Sequence, residues 1–107
     1  MPAQTPSPAR EAIRGTAPKL AEIADTVIYG DVWERPGLSK RDRSLITVAT
    51  LVALGRERQL LGHLQRALGN GVSKDEIGEL ITHLAFYAGW PAAMTAALVA
   101  KDVFETA

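Results

Sequence analysis

Between Leu45 and Leu54 the chain is apolar except at Thr47 and Thr50. A helix that is apolar on every side is buried on every side. A chain of 107 residues and 11.5 kDa has little of itself left to surround such a helix, because small domains bury a smaller share of their surface than large ones. The run therefore predicts an all-α protein whose core is completed by further copies of the chain. It is about half the ~20 residues that a membrane-spanning helix needs. A longer apolar stretch, Leu80 to Ala100, is interrupted by His83 and by Gly89-Trp90-Pro91.

The rest of the chain reads as short amphipathic helices joined by turns. Residues 1–8 hold three of the six prolines and are expected to form a flexible tail ahead of one domain over 9–107. Ile13, Ala17, Leu20, Ala24 and Val27 recur at helical spacing over residues 9–28, although Gly15 and Pro18 weaken the pattern and Pro18 suits a first turn. Residues 29–38 read as a connector rich in turn formers, with Tyr29 and Trp33 inside it. Ser39 opens a helix expected to reach about Arg56, and a third runs from Glu57 to about Leu68 on the stripe Leu60, Leu61, Leu64 and Leu68. Asn70-Gly71 then suits a left-handed cap. Ser73 and Glu76 form a capping box for a fourth helix predicted to reach Ala88, and Pro91 starts a fifth that ends near Glu105. No segment alternates with period two, so the fold class is all-α, a bundle of about five to six helices.

Composition removes several functions. Twelve cationic and twelve anionic side chains balance, which argues against a nucleic-acid partner, since affinity for phosphate backbones rests on clustered cations. The absence of cysteine excludes disulfides, thiol redox chemistry and a cysteine nucleophile. The first eight residues lack a basic region followed by an apolar run, so neither a secretory leader nor a membrane anchor is expected, and a cytoplasmic location follows by default. Neither histidine has metal-ligand spacing, and no phosphate loop or dinucleotide fingerprint is present, so no metal and no cofactor is expected.

A few side chains are placed for chemistry. His63 shares a helical face with Leu60, Leu64 and Ala67 and points toward an apolar surface; it is either a proton-transfer group or a core histidine bonded to a carbonyl. His83 lies between Glu79 and Tyr87 at four-residue spacing, which makes either an oriented imidazole or an ordinary surface pair. Lys40, Arg41 and Arg43 lie at a helix N-terminus, the wrong end for cations, where they either bind a carboxylate or form ion pairs. Arg43 leads directly into the apolar run. Glu57 starts the helix that carries His63. Trp33, an aromatic in a connector, either packs down or lines a site.

Several stretches together resemble the carboxymuconolactone decarboxylase family. They are Tyr29-Gly30-Asp31-Val32-Trp33-Glu34-Arg35-Pro36-Gly37-Leu38-Ser39, Arg41-Asp42-Arg43-Ser44-Leu45-Ile46-Thr47-Val48-Ala49, His63-Leu64 with Asn70-Gly71, and Tyr87-Ala88-Gly89-Trp90-Pro91-Ala92-Ala93. The likeness covers about residues 20 to 105. It implies the alkylhydroperoxidase-D-like helical fold, assembled as a homotrimer or homohexamer with sites near subunit interfaces. Redox members carry two cysteines before a histidine that matches His63; here those positions are Arg56 and Gln59, and the glutamate that assists them falls at Ser44. The thiol peroxidase machinery is absent.

The decarboxylase branch, as the resemblance implies, converts 4-carboxymuconolactone to the enol-lactone of 3-oxoadipate, releasing carbon dioxide without a cofactor. The small-molecule substrate then needs an anion site, a group that polarises the lactone carbonyl and an acid that reprotonates carbon. Position and residue type make His63, Arg43 and Glu57 the candidate catalytic set, with Trp33, His83, Tyr87 and Arg41 around the substrate. The chain also departs from the decarboxylases proper. Leu61 and Gln65 stand where they tend to have arginines flanking the histidine, and Met94 stands where they tend to have asparagine. Two missing guanidiniums imply a less anionic substrate. Three readings stay open: a decarboxylase of 4-carboxymuconolactone or a relative, a non-thiol paralogue acting on another small molecule, and a non-catalytic oligomeric binding protein.

Overall fold

The computed structural model describes residues 8–106, so the expected tail lies outside the described residues except for Pro8. The described residues contain helices and turns and no strand, as the sequence predicts. The chain divides into two compact units, Met1–Lys40 and Arg41–Ala107.

In the first unit the helical period of residues 9–28 is realised as two short helices, α1 (Pro8–Ile13) and α2 (Pro18–Ile23), followed by a wide π turn over Ala24–Ile28. The break falls at Gly15 to Pro18, and Pro18, which has no N–H to lose, opens α2. The break lets two arginines of the first segment reach one carboxylate. Arg10 Nε donates to Asp25 Oδ1 at 3.0 Å and Arg14 Nη2 to Asp25 Oδ2 at 2.8 Å. These guanidiniums, Arg14 foremost, hold the Asp25 carboxyl below its ordinary pKa. The buried Arg10 guanidinium also lies 4.2 Å over the Tyr29 ring, which stacks on Trp33 at 6.0 Å. The connector is thus more ordered than its composition implies, and it contains a 3₁₀ turn at Val32–Glu34. Gly30 follows the π turn so closely that a Cβ there would sit 2.6 Å from the Asp25 carbonyl oxygen and 2.8 Å from that of Thr26.

The second unit is built from α3 (Lys40–Leu54, beginning at the unit boundary), α4 (Glu57–Gly69), α5 (Lys74–Leu84) and α6 (Trp90–Thr106). α4 ends in a tight cap in which Gly71 takes φ +96° and Val72 N–H donates to Ala67 at 3.0 Å, burying Val72 beneath the helix end. The capping box before α5 forms in both directions: Glu76 N–H donates to Ser73 Oγ, and Ser73 N–H to Glu76 Oε1, each at 3.0 Å. α5 stops at Leu84, short of the expected Ala88, because residues 85–88 tighten into a turn. α6 packs against both α4 and α5 through small residues, burying Ala93, Ala96, Ala100 and Val103.

The core joins that stripe to Val48 and Val52 of α3, Leu60, Leu64 and Ala67 of α4, and Ile77 and Ile81 of α5. α3 buries only Ser44, Val48 and Val52 within the chain, leaving Ile46 and Leu54 more than half exposed. Among the described residues no helix is long and apolar enough to cross a membrane.

Replacing Gly30 by alanine forces a side chain onto two backbone carbonyls that cannot swing aside. Overpacking of this kind typically costs about 1–3 kcal/mol. Gly30→Ala is expected to lower the urea midpoint read by circular dichroism, whereas Gly37→Ala, where nothing lies within 4 Å, is expected to leave it nearly unchanged.

Candidate functional site

The hairpin of α3 and α4 organises the candidate residues of the second unit. Gly55-Arg56 links the helices at one end, and at the other Asn70 Nδ2 donates to the buried Ser44 Oγ at 3.0 Å. This polar tie, next to an aliphatic core, fixes the register of the arms. Helical rise then places the candidates in order. Glu57 lies at the link, His63 about 9 Å further along α4, and Asn70 about 10 Å beyond it, level with Ser44 and its neighbour Arg43. Glu57 and His63 therefore lie along α4, and Arg43 lies beside Ser44 near its far end.

At the link end lies a cavity of about 270 Å³. Its walls are Leu51 and Val52 of α3, Gly55, Leu60 of α4, and Pro91, Ala92 and Ala96 of α6; its polar groups are the Glu57 carboxylate and the Thr95 hydroxyl. Among the described residues no arginine, lysine or histidine lines it. Thr95 is the member that sequence reasoning missed. Its one available signal was a lone hydroxyl residue among the alanines of α6, four positions after the helix-starting proline.

His63 is half-buried, with a solvent-shielded Nδ1. Burial lowers its pKa, and the Arg66 guanidinium one turn along adds to the shift. The neutral imidazole is thereby favoured near pH 7, with one ring nitrogen as donor and the other as acceptor. Arg43 is half-buried with a shielded Nε, and its carbonyl accepts from Thr47 Oγ1 at 2.8 Å.

The remaining candidates lie elsewhere. Arg41 pairs with Glu76, so its guanidinium ties α3 to the start of α5. The Ser73 N–H foremost, and then Arg41, hold the Glu76 carboxyl below its ordinary range. Trp33 packs down against Tyr29 inside the first unit. His83 and Tyr87 stack at 4.9 Å, a pair the four-residue spacing anticipated, but both are exposed and neither lines the cavity. Among the described residues no group of three His, Cys, Asp or Glu side chains is placed to hold a metal ion.

Comparison with known proteins identifies relatives of this arrangement. Residues 18–102 match the carboxymuconolactone decarboxylase family. The chain is 52% identical over 77 residues to 4-carboxymuconolactone decarboxylase of Acinetobacter baylyi, covering 72% of this chain and 58% of that protein. It is 37% identical over 84 residues to nitrosuccinic acid decarboxylase of Metarhizium robertsii, covering 78% and 59%. It is 32% identical over 78 residues to an uncharacterised 15.0 kDa protein of Paracoccus denitrificans, covering 71% and 58%. The chain thus spans a little under three-fifths of the length of these curated relatives.

The His63 environment has a consequence that can be measured without a substrate. Its pKa is lowered on folding, so as pH falls the unfolded chain takes up this proton first. Its contribution is therefore a loss of stability that begins as pH drops through the unfolded value of about 6.5 and is complete below the folded pKa. Histidine NMR titration is expected to place His63 below a histidine in the urea-unfolded chain. In His63→Gln the stability difference between pH 7 and pH 5 is expected to shrink.

Proposed function

The chain belongs to the carboxymuconolactone decarboxylase family, and from that premise we propose that it is a carboxy-lyase. It decarboxylates a small lactone or cyclic carboxylic acid, 4-carboxymuconolactone or a close relative, without a cofactor. The observation that carries the reading is the 52% identity to a 4-carboxymuconolactone decarboxylase across a segment covering 72% of this chain. The second relative, itself named a decarboxylase of a small acid, supports the same reaction class.

The chemistry breaks a carbon–carbon bond. Its electron pair moves toward the lactone carbonyl as carbon dioxide leaves, and a carbon atom is then protonated. Neutral His63 is suited to donate a hydrogen bond to the carbonyl as negative charge develops and, taking up a proton from solvent on its other ring nitrogen, to deliver a proton to carbon afterwards. Arg43 is suited to hold a substrate carboxylate, and Glu57 to orient the substrate or carry a proton at the cavity. The working site draws on a homo-oligomer, a homotrimer or homohexamer. The exposed Ile46 and Leu54 of the otherwise apolar α3 support that assembly.

One observation favours a narrower second reading. Among the described residues the cavity is lined by the carboxylate-bearing Glu57 and by no cationic residue, which suits an acid carrying less negative charge than 4-carboxymuconolactone.

Purified protein is expected to release carbon dioxide from 4-carboxymuconolactone or, on the second reading, faster from a mono-acid lactone. His63→Ala is expected to lower kcat/KM by roughly 10²–10⁴-fold, the usual weight of a positioned acid–base group. Full activity in His63→Ala would remove His63 from the mechanism, and no release from any lactone acid would overturn the decarboxylase reading.

A further inference from the structure

A threonine inside a helix commonly hands its hydroxyl back to the helix, because Oγ1 reaches the carbonyl three or four residues earlier. Thr26 donates in this way to Glu22, Thr47 to Arg43, Thr50 to Ile46, Thr82 to Gly78 and Thr106 to Asp102, at 2.8–3.2 Å. Thr95, half-buried in α6, departs from the pattern. Among the described residues its hydroxyl makes no hydrogen bond, either to the Pro91 carbonyl one turn back or to any other group.

Glu57 departs from its own kind in the same way. Glu11, Glu22, Glu34, Glu76 and Glu105 each pair with a lysine or an arginine. Among the described residues no cation pairs with Glu57. Both uncommitted side chains line the cavity of about 270 Å³ at the α3–α4 link, and its remaining side chains are aliphatic. A hydroxyl and a carboxylate left without partners beside an apolar wall are groups that a ligand can satisfy.

The pair is selective about that ligand. An ionised carboxylate only accepts hydrogen bonds, whereas a hydroxyl donates and accepts. An uncharged ligand hydroxyl answers both, donating to Glu57 and accepting from Thr95. A ligand carboxylate answers Thr95 alone and meets Glu57 with like charge, and a ligand methyl group answers neither. We propose that the substrate carries, besides the carboxyl group it loses, one uncharged hydroxyl arm, and that Glu57 and Thr95 select for this arm in the cavity. The volume lies just below the roughly 300–1,000 Å³ of drug-sized pockets and suits a single small ring with a short arm. Of the two roles given to Glu57 above, this is the orienting one. The proposal rests on the decarboxylase reading for the reaction, but the selection itself is a matter of binding.

The test is calorimetric titration of the full chain with two butenolides of nearly equal size, one bearing a hydroxymethyl group and the other an ethyl group. Neither has a carboxyl group to lose. The wild type is expected to bind the hydroxymethyl compound roughly tenfold more tightly, the weight of a hydrogen bond to a charged group. Thr95→Val and Glu57→Leu are each expected to cut that preference several-fold, with helix content by circular dichroism unchanged, and Thr95→Ser to retain it. Equal affinities in the wild type, no binding of the hydroxymethyl compound, or a preference that survives both substitutions would overturn the proposal. Carbon dioxide release from the corresponding mono-acids separates it from the reading it rests on. A hydroxymethyl preference without release from any lactone acid keeps the selection and removes the reaction. Release at equal kcat/KM from the hydroxymethyl and ethyl acids keeps the reaction and overturns the selection.

Discussion

Close packing of α6 is the constraint on which the second unit depends. Alanines at 93, 96 and 100 allow this helix to approach α4 and α5 together, where larger side chains would hold it off. That approach has two results. It carries the first turn of α6 over the α3–α4 link, so that Pro91, Ala92 and Thr95 close one side of the cavity that holds Glu57. It also turns the large residues of the same helix, Trp90, Met94 and Leu98, away from the core. The small face makes the cavity, and the large face is left exposed.

The polar contacts divide the labour differently. Arg41 to Glu76, Asn70 to Ser44, and Arg10 with Arg14 to Asp25 each join segments distant in sequence, and each fixes a register that apolar packing alone leaves loose. Charge used in this way is not available to a ligand. Of the cations at the start of α3, Arg41 is held by Glu76 and Lys40 by Glu34 at 2.6 Å.

Local rules were legible in the sequence to within a residue or two. The Ser73–Glu76 capping box, Pro18 at the start of α2 and the all-helical class follow from short-range chemistry, and the structure realises each. The likeness in the motifs also identified the family. What escaped was long-range. Nothing in a helical period says that Arg41 finds a carboxylate 35 positions away, or that Trp33 stacks on Tyr29 beneath an arginine of α1. The early end of α5, where residues 85–88 close into a turn, was also not legible. Thr95 became a site candidate only when α6 was seen to lie over the α3–α4 link.

The central claim is that a small lactone acid binds where α6 meets that link, within reach of the hairpin that carries His63. Amide chemical-shift mapping with a butenolide carboxylic acid tests it most directly. Shifts concentrated at Gly55, Glu57, Ala92 and Thr95, the residues around the cavity, are expected. Shifts confined to the outward face of Phe86 to Leu98, or no saturable shifts with any lactone acid, would contradict it.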